Sequence, residues 1–313
     1  MYNIVGCVIL VWGMWGGGMV LQGSVFLSTQ QAIICGMLIG RFFGTIVAYG
    51  LYTLLLHKKI IQIDEIPSAR PIKLFYLYFI SILYDISASG ASMSYNQLSK
   101  HSGKNIAITS AFVSLSSYIP IIFGKLCYKE KTNFKQNTGI FLAITGGILL
   151  SLNINQSDAE SKSFLTVLYT LISFLGWGCS YTIASSIYKF SSSINTILRT
   201  FCLSSFTLLL IIALPFAWYY SIWSWNKWHF IQLAGAQFMW TSTAPVYTYI
   251  ASTCGATRGS VLCAGHTLVP VIIGIGVMGN QTNRMSICGI ILSLCSLTLV
   301  AKDESQNIET TNV

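Results

Sequence analysis

The sequence predicts an all-α integral membrane protein of ten transmembrane helices, arranged as two inverted five-helix repeats. Three observations predict it. The residues are 53% hydrophobic and only 9% charged, with a mean hydropathy of +0.64. A soluble domain carries about 25% charged residues, so lipid is the solvent this composition suits. The apolar residues also gather into runs long enough for a bilayer, which takes roughly 20 residues to cross a hydrocarbon core of about 30 Å. Finally, one pattern is written twice. "IPIIFGKLCYKEKTNFKQNTG" (Ile119 to Gly139) and "VPVIIGIGVMGNQTNRMSICG" (Val269 to Gly289) align without a gap. Pro120 matches Pro270, Gly124 matches Gly274 and Gly139 matches Gly289, at a constant offset of 150 (270 − 120). An internal repeat changes the whole fold assignment, so it is sought first.

The ten runs fall at 4–22, 31–56, 72–96, 105–127, 136–153, 164–188, 194–219, 229–252, 256–279 and 284–301. In lipid every backbone polar group must be bonded within its own segment, so these runs are helices and not strands. The first has no Lys or Arg ahead of it and no A-x-A site, so it is expected as a span and not as a signal peptide. Gly13 with Gly17, and Gly36 with Gly40 and Gly44, have the small-xxx-small spacing that lets membrane helices approach closely. The boundary between the third and fourth runs, around "NQLSKHSGKN", is the least sharply drawn. Pro120 and Pro270 sit inside the fourth and ninth runs, where each removes a helical hydrogen bond and kinks the helix. Residues 1–153 form the first repeat, 154–162 a linker, 163–301 the second repeat and 302–313 a polar tail; no soluble domain fits between them.

Charge sets the orientation. With the N-terminus cytoplasmic, inside loops hold eleven Lys or Arg between Lys58 and Lys302, and outside loops hold five: Lys100, Lys104, Lys162, Lys227 and Arg284. The positive-inside rule therefore places both termini in the cytoplasm, with the plasma (inner) membrane as the expected location. The net charge of +9 resides in short loops and not in a dense basic block with aromatics, so no nucleic-acid partner is expected. The nine cysteines form no C-x-x-C pair and no metal-ligand spacing with histidine. Neither a metal nor a cofactor is expected.

The repeat extends beyond the quoted pattern. Trp12-Gly13 pairs with Trp177-Gly178, Arg41 with Arg199, and Tyr95 with Tyr247. Five helices is an odd number, so the second copy enters from the opposite side. Inverted repeats of this kind underlie alternating access, with a site near the midplane between the halves.

On these residues the chain resembles the drug/metabolite transporter superfamily in its ten-helix, EamA-like form. The shared features are "WG" in the first and sixth helices, an Arg in the second and seventh, and a proline followed by an acidic residue and a glycine in the fourth and ninth. Pro120, Glu130 and Gly139 fit that pattern; the second half has Pro270 and Gly289 but Asn280 in the acidic place. A narrower likeness, to bacterial aromatic amino acid exporters, rests on "KTNF" and "WGCSYTIASSIYKF". The resemblance implies secondary transport of a small polar metabolite, an amino acid or related compound, in the direction of export. Nucleotide-sugar, sugar and purine carriers share the fold, so they stand as alternatives.

Candidate site residues follow from what a bilayer makes expensive. Asp85 is the one carboxylate placed deep in a run, where a charge costs about 2.5–3.5 kcal/mol. It reads either as a substrate-amine or proton site or as the partner of Arg41. Trp177, Tyr181, Trp240 and Tyr247, with Tyr95, could stack on a ring-shaped substrate or pack as interface anchors; Trp12 belongs with them through its recurrence. His266, one turn before Pro270, and its first-half counterpart Ser116 are candidates for ligand hydrogen bonding, set against an ordinary structural role. Pro120 and Pro270 are the candidate hinges. Arg41 and Arg199 read as structural anchors, and Trp218, Trp223, Trp225 and Trp228 as an aromatic belt.

The chain carries no ATP motif, so the expected partners are a small-molecule substrate, the lipid bilayer and a coupling proton or ion. It is not expected to be an enzyme, because protease signatures are missing and a single deep carboxylate cannot supply a two-carboxylate mechanism. A channel or facilitator and a non-transporting membrane scaffold are the rival classes. No TVGYG-type filter favours a channel.

Overall fold

A computed structural model describes residues 2–25, 30–58, 72–101, 113–129, 133–154, 163–191, 193–219, 226–280 and 283–301. Among these the chain is all-α. The first half supplies α1 (Tyr2–Gly23), α2 (Gln30–His57), α3 (Leu74–His101), α4 (Tyr118–Tyr128) and α5 (Phe134–Ile154). The second supplies α6 (Ser163–Ser186), α7 (Ile194–Tyr219), α8 (Lys227–Cys254), α9 (Ala256–Gly276) and α10 (Arg284–Ala301). Every apolar run meets a helix. Most of the expected third loop (97–104) continues α3, which runs to His101; residues 102–112, the linker beyond Ile154 (155–162) and the tail (302–313) lie outside the described residues, as do Glu130 and the Lys131-Thr132 part of "KTNF".

Among the described residues, five helices are long and apolar enough to cross a membrane: α1, α2, α3, α7 and α9. Their outward faces carry what water would not tolerate. Ile9, Phe43, Val47, Phe75, Phe79, Leu203 and Ile211 are all exposed. The interior is the more polar part, with buried Gln22, Arg41, Asp85, Asn96, Gln237 and His266. Apolar groups outside and polar groups inside is the arrangement of a multi-pass membrane protein, because lipid accepts the first and cannot hydrogen-bond the second.

Helix packing has a regular form. α3 packs on α6 and α8 packs on α1; α2 packs on α8 and α7 on α3; α4 packs on α6 and α9 on α1. Shifting each label by five turns one member of each pair of contacts into the other. The α5–α10, α4–α9 and α2–α7 contacts map onto themselves. The same exchange holds for backbone irregularities. A 3-10 turn at Ser114–Ser117 precedes Pro120, and another at Gly265–Thr267 precedes Pro270. The proline ring cannot sit against an ideal preceding turn and lacks an N–H, so the turn tightens instead. In α7 the response differs. Leu209–Ala213 widens into a π-helical stretch just ahead of Pro215, whose missing N–H already breaks the regular ladder.

The glycine expectations divide. A Cβ on Gly44 would lie 2.8 Å from the backbone N of Phe238, and one on Gly40 3.0 Å from Cα of Ala234, so α2 and α8 meet backbone to backbone as expected. The Gly13 and Gly17 pair makes no such approach. Gly13 faces open space, and Gly17 meets only the flexible end of Met239. The close contacts of α1 come from its neighbours instead. Gly16 lies against Val269 and Gly18 against Trp240. The helix register, and not the i, i+4 spacing, decides which glycine faces a partner.

Of the expected aromatic belt, Trp218 and Trp228 are exposed, and Trp223 and Trp225 lie outside the described residues. Arg199 is exposed on α7, and its Nε donates to the Tyr49 hydroxyl at 3.0 Å.

Candidate functional site

α2, α3 and α7 bring together the only ion pair among the described residues. Arg41 Nε donates to Asp85 Oδ1 at 2.5 Å, and both side chains are buried. The other carboxylate oxygen accepts from the hydroxyls of Ser204 and, at 3.1 Å, Ser205. The guanidinium carbon lies 4.9 Å from the centre of the Tyr84 ring, a cation–π contact. Both carboxylate oxygens are thus occupied. The ion pair with Arg41 is one of the two readings of Asp85. Burial is tolerable because each charge meets its opposite and the remaining lone pairs find hydroxyls.

Beside this pair lies a small pocket with room for about one water molecule, lined in part by Arg41, Tyr84, Met19 and His266. Four aromatic rings form the rest of its wall. Trp15 stacks on Tyr181 with centroids 5.2 Å apart and planes 7° from parallel. Trp177 stacks on Tyr181 at 5.7 Å and meets Trp240 edge to face at 4.7 Å. Such close spacing keeps the pocket narrow. Offset stacking and edge contacts are the favoured geometries for these quadrupoles, so the wall holds itself in place.

Its polar groups are mostly committed. Trp240 Nε1 donates to the Trp15 carbonyl at 3.0 Å. His266 Nδ1 lies 2.7 Å from the carbonyl of Cys263, which can only accept, so Nδ1 carries the proton. Nε2 of the neutral ring then accepts from the Tyr181 hydroxyl at 3.2 Å. The exceptions are the indole N–H groups of Trp15 and Trp177. Both are buried, and neither has a hydrogen-bond partner among the described residues. Leaving a buried donor unpaired costs about 1–3 kcal/mol, and such groups call for an explanation.

The structure gathers Trp177, Tyr181, Trp240 and His266 around the pocket as candidates read from sequence. The others stand apart. Tyr247 lies behind Trp15, with centroids 5.1 Å apart, and its hydroxyl shares a 2.8 Å hydrogen bond with Ser260. The Tyr95 hydroxyl points to the Met19 carbonyl at 3.5 Å. Ser116 donates to the Val113 carbonyl, so its hydroxyl serves its own helix turn. Pro120 and Pro270 are buried just beyond their 3-10 turns. Trp12 donates to the Leu262 carbonyl at 2.6 Å, and its ring covers Gly265.

Trp15, Met19 and Tyr84 are the pocket residues that the sequence reading missed. The signal for Trp15 was present. "WGMWGGG" contains Trp-Gly twice, and the glycine contacts single out the second pair, Trp15-Gly16, beside Trp177-Gly178. Gly16 packs on Val269 and Gly178 on Ile119, and Ile119 matches Val269 at the 150-residue offset. Gly16 and Gly178 thus meet residues that match at that offset, and the tryptophan just ahead of each lines the pocket. Met19 and Tyr84 carried no pattern that separates them from ordinary apolar helix residues.

Compared with models of known protein families, the chain matches none. A search of curated proteins likewise finds no relative.

Proposed function

We propose that the chain is a secondary transporter of a small polar metabolite, built as ten transmembrane helices in two inverted repeats and working by alternating access. One observation carries the reading: both halves of the chain build the central pocket in equal parts. Trp15 and Met19 on α1, Arg41 on α2 and Tyr84 on α3 face Trp177 and Tyr181 on α6, Trp240 on α8 and His266 on α9. A pocket shared this way opens to one side or the other when the halves rock against each other.

Three further features support it. Packing contacts exchange when helix labels shift by five. The prolines of α4 and α9 follow matched 3-10 turns, giving each half a hinge at the same place. The sequence resemblance to EamA-like drug/metabolite transporters points the same way, with an amino acid or related compound as substrate and export as direction. Nucleotide sugars, sugars and purines are the alternative cargoes. The bias of Lys and Arg between loops supports cytoplasmic termini in a plasma membrane. A coupling proton or ion would supply the energy.

Reconstituted vesicles loaded in turn with amino acids, purines, sugars and nucleotide sugars test the reading. For one class, labelled solute outside is expected to accumulate transiently against unlabelled solute inside, with saturable kinetics. Flux that never saturates would assign a channel, and no flux for any class would remove the transporter reading.

A further inference from the structure

We propose that the C-terminal half of α3 is one wall of a hydrated path between the bundle centre and the membrane face where α1 and α3 end, and that Gln22 is the latch across it. This rests on the transporter reading, under which that face is the outer one, and adds the route and its gate.

The route is a stripe along one helix. Asp85, Ser89, Ser92 and Asn96 fall within an arc of about 60° on α3 and climb about 16 Å from the ion pair toward the helix end. The flanks of the stripe show where it looks. Tyr95 on one flank reaches the Met19 carbonyl of α1, and Met93 on the other packs with Val25, just past α1, and with Met37 of α2. Ala91, on the far side of the helix, lies against Gly176 of α6 instead. The stripe therefore faces the seam between α3 and the α1–α2 side of the bundle.

Its polar groups are unmet. Asn96 is 4% exposed, and neither its Oδ1 nor its Nδ2 has a partner among the described residues. The same holds for the hydroxyls of Ser89 and Ser92. Across the seam, fully buried Gln22 donates from Nε2 to the Ser92 carbonyl at 2.6 Å, while its Oε1 has no partner. Amides and hydroxyls both donate and accept, so water satisfies this set and lipid does not.

The other end of the bundle closes differently. At the 152-residue offset of Tyr95 and Tyr247, Asn96 falls on Thr248 (248 − 96). At the 162-residue offset of Gly16 and Gly178, Gln22 falls on Ala184 (184 − 22). There the Thr248 hydroxyl lies 3.3 Å from the Ala184 carbonyl and 3.0 Å from that of Ala244, so α6 and α8 cross through a short, satisfied side chain. The α1–α3 crossing has two long amides in those places, and only Gln22 Nε2 is bonded. One hydrogen bond from a flexible side chain is a closure that water can replace.

Ser89→Cys, Ser92→Cys and Asn96→Cys are made singly in full-length protein freed of its native cysteines, with Ile86→Cys on the outward face of α3 as control. Right-side-out vesicles are treated with an impermeant, cationic methanethiosulfonate, which attacks a thiolate in water and spares a thiol in lipid. The three stripe positions are expected to react about tenfold faster than Ile86→Cys, and faster than in inside-out vesicles. Adding Gln22→Ala is expected to speed their reaction several-fold by favouring the open state. Stripe thiols no faster than the control, reaction chiefly from the cytoplasmic side, or rates indifferent to Gln22→Ala would overturn the proposal. Should the cysteine variants fail to fold, radiolytic footprinting of the unaltered protein decides. Met37 is 1% exposed and its sulfur lies 3.9 Å from Gln22 Nε2. Its oxidation is expected, and its full protection would remove the path. Reactive stripe thiols in a protein that moves no solute would keep the path and sink the transporter reading. Solute flux past an unreactive stripe would do the reverse.

Discussion

Arg41 and Asp85 lie 44 residues apart in sequence and meet Nε to Oδ1 at 2.5 Å, each side chain almost wholly removed from the surface. Neither residue can be removed alone without leaving its partner's charge in a medium that cannot solvate it. Asp85→Ala is therefore expected to lower stability by about 3–5 kcal/mol in unfolding from detergent micelles. The double variant Arg41→Met with Asp85→Leu removes both charges and is expected to recover most of that loss. A double variant as unstable as the single one would show that the charge pair is not what couples α2 to α3.

α2 and α8 touch through backbone, and Gly44 sets their separation. A methyl group there would come within 2.8 Å of Phe238 N and 2.9 Å of its Cα, atoms that cannot swing aside. Gly44→Ala should destabilise the protein by about 1–3 kcal/mol, the usual range for overpacking. Gly13→Ala meets nothing within 4 Å. It should be neutral or gain up to about 1 kcal/mol from helix propensity. Thermal unfolding of the two variants side by side checks both signs, and equal effects would mean that the α2–α8 approach is looser than described.

The Tyr181–His266 hydrogen bond fixes the ring that closes one side of the pocket. Tyr181→Phe keeps the stack on Trp15 and leaves His266 Nε2 without its donor. Stability should fall by about 1–3 kcal/mol, the penalty for an unsatisfied buried group. Tyr247→Phe is expected to cost a similar amount through loss of the Ser260 contact. Thermal unfolding of the two variants checks both losses, and unchanged stability in either would mean that its hydrogen bond carries no weight.

Much of the fold was legible because lipid leaves few choices. Uninterrupted apolar runs had to be helices, and each of the ten runs meets one. Trp177, Tyr181, Trp240 and His266 were legible because large or polar side chains stand out in such runs. What the sequence could not convey was rotation about each helix axis. Gly13 and Gly16, or Trp12 and Trp15, differ by three residues and hence by only about 60° around a helix of 3.6 residues per turn. Only contacts with α8 and α9 decide which one faces inward. Asp85 is a different case. Its depth was visible, but its role depended on Ser204, Ser205 and Arg41 converging from two other helices, which no local pattern encodes.

The turns that end α4 and α9 test the inverted arrangement itself. Lys129 has a φ of 53° and Gly279 a φ of 66°, both left-handed, at the same 150-residue offset (279 − 129). Each turn returns a backbone N–H to a matched carbonyl, from Lys129 to Gly124 and from Asn280 to Gly274. A glycine adopts this conformation freely, whereas Lys129 pays a modest steric penalty that its turn must offset. If the two halves are inverted, these like-shaped turns lie on opposite faces of the membrane. In a background with the native cysteines replaced, Lys129→Cys should react with a membrane-impermeant maleimide only from the cytoplasmic side. Met278→Cys, an exposed neighbour of the second turn, should react only from the outside. Labelling of both from one side would make the halves parallel, and a pocket between parallel halves would lose the symmetry on which alternating access depends.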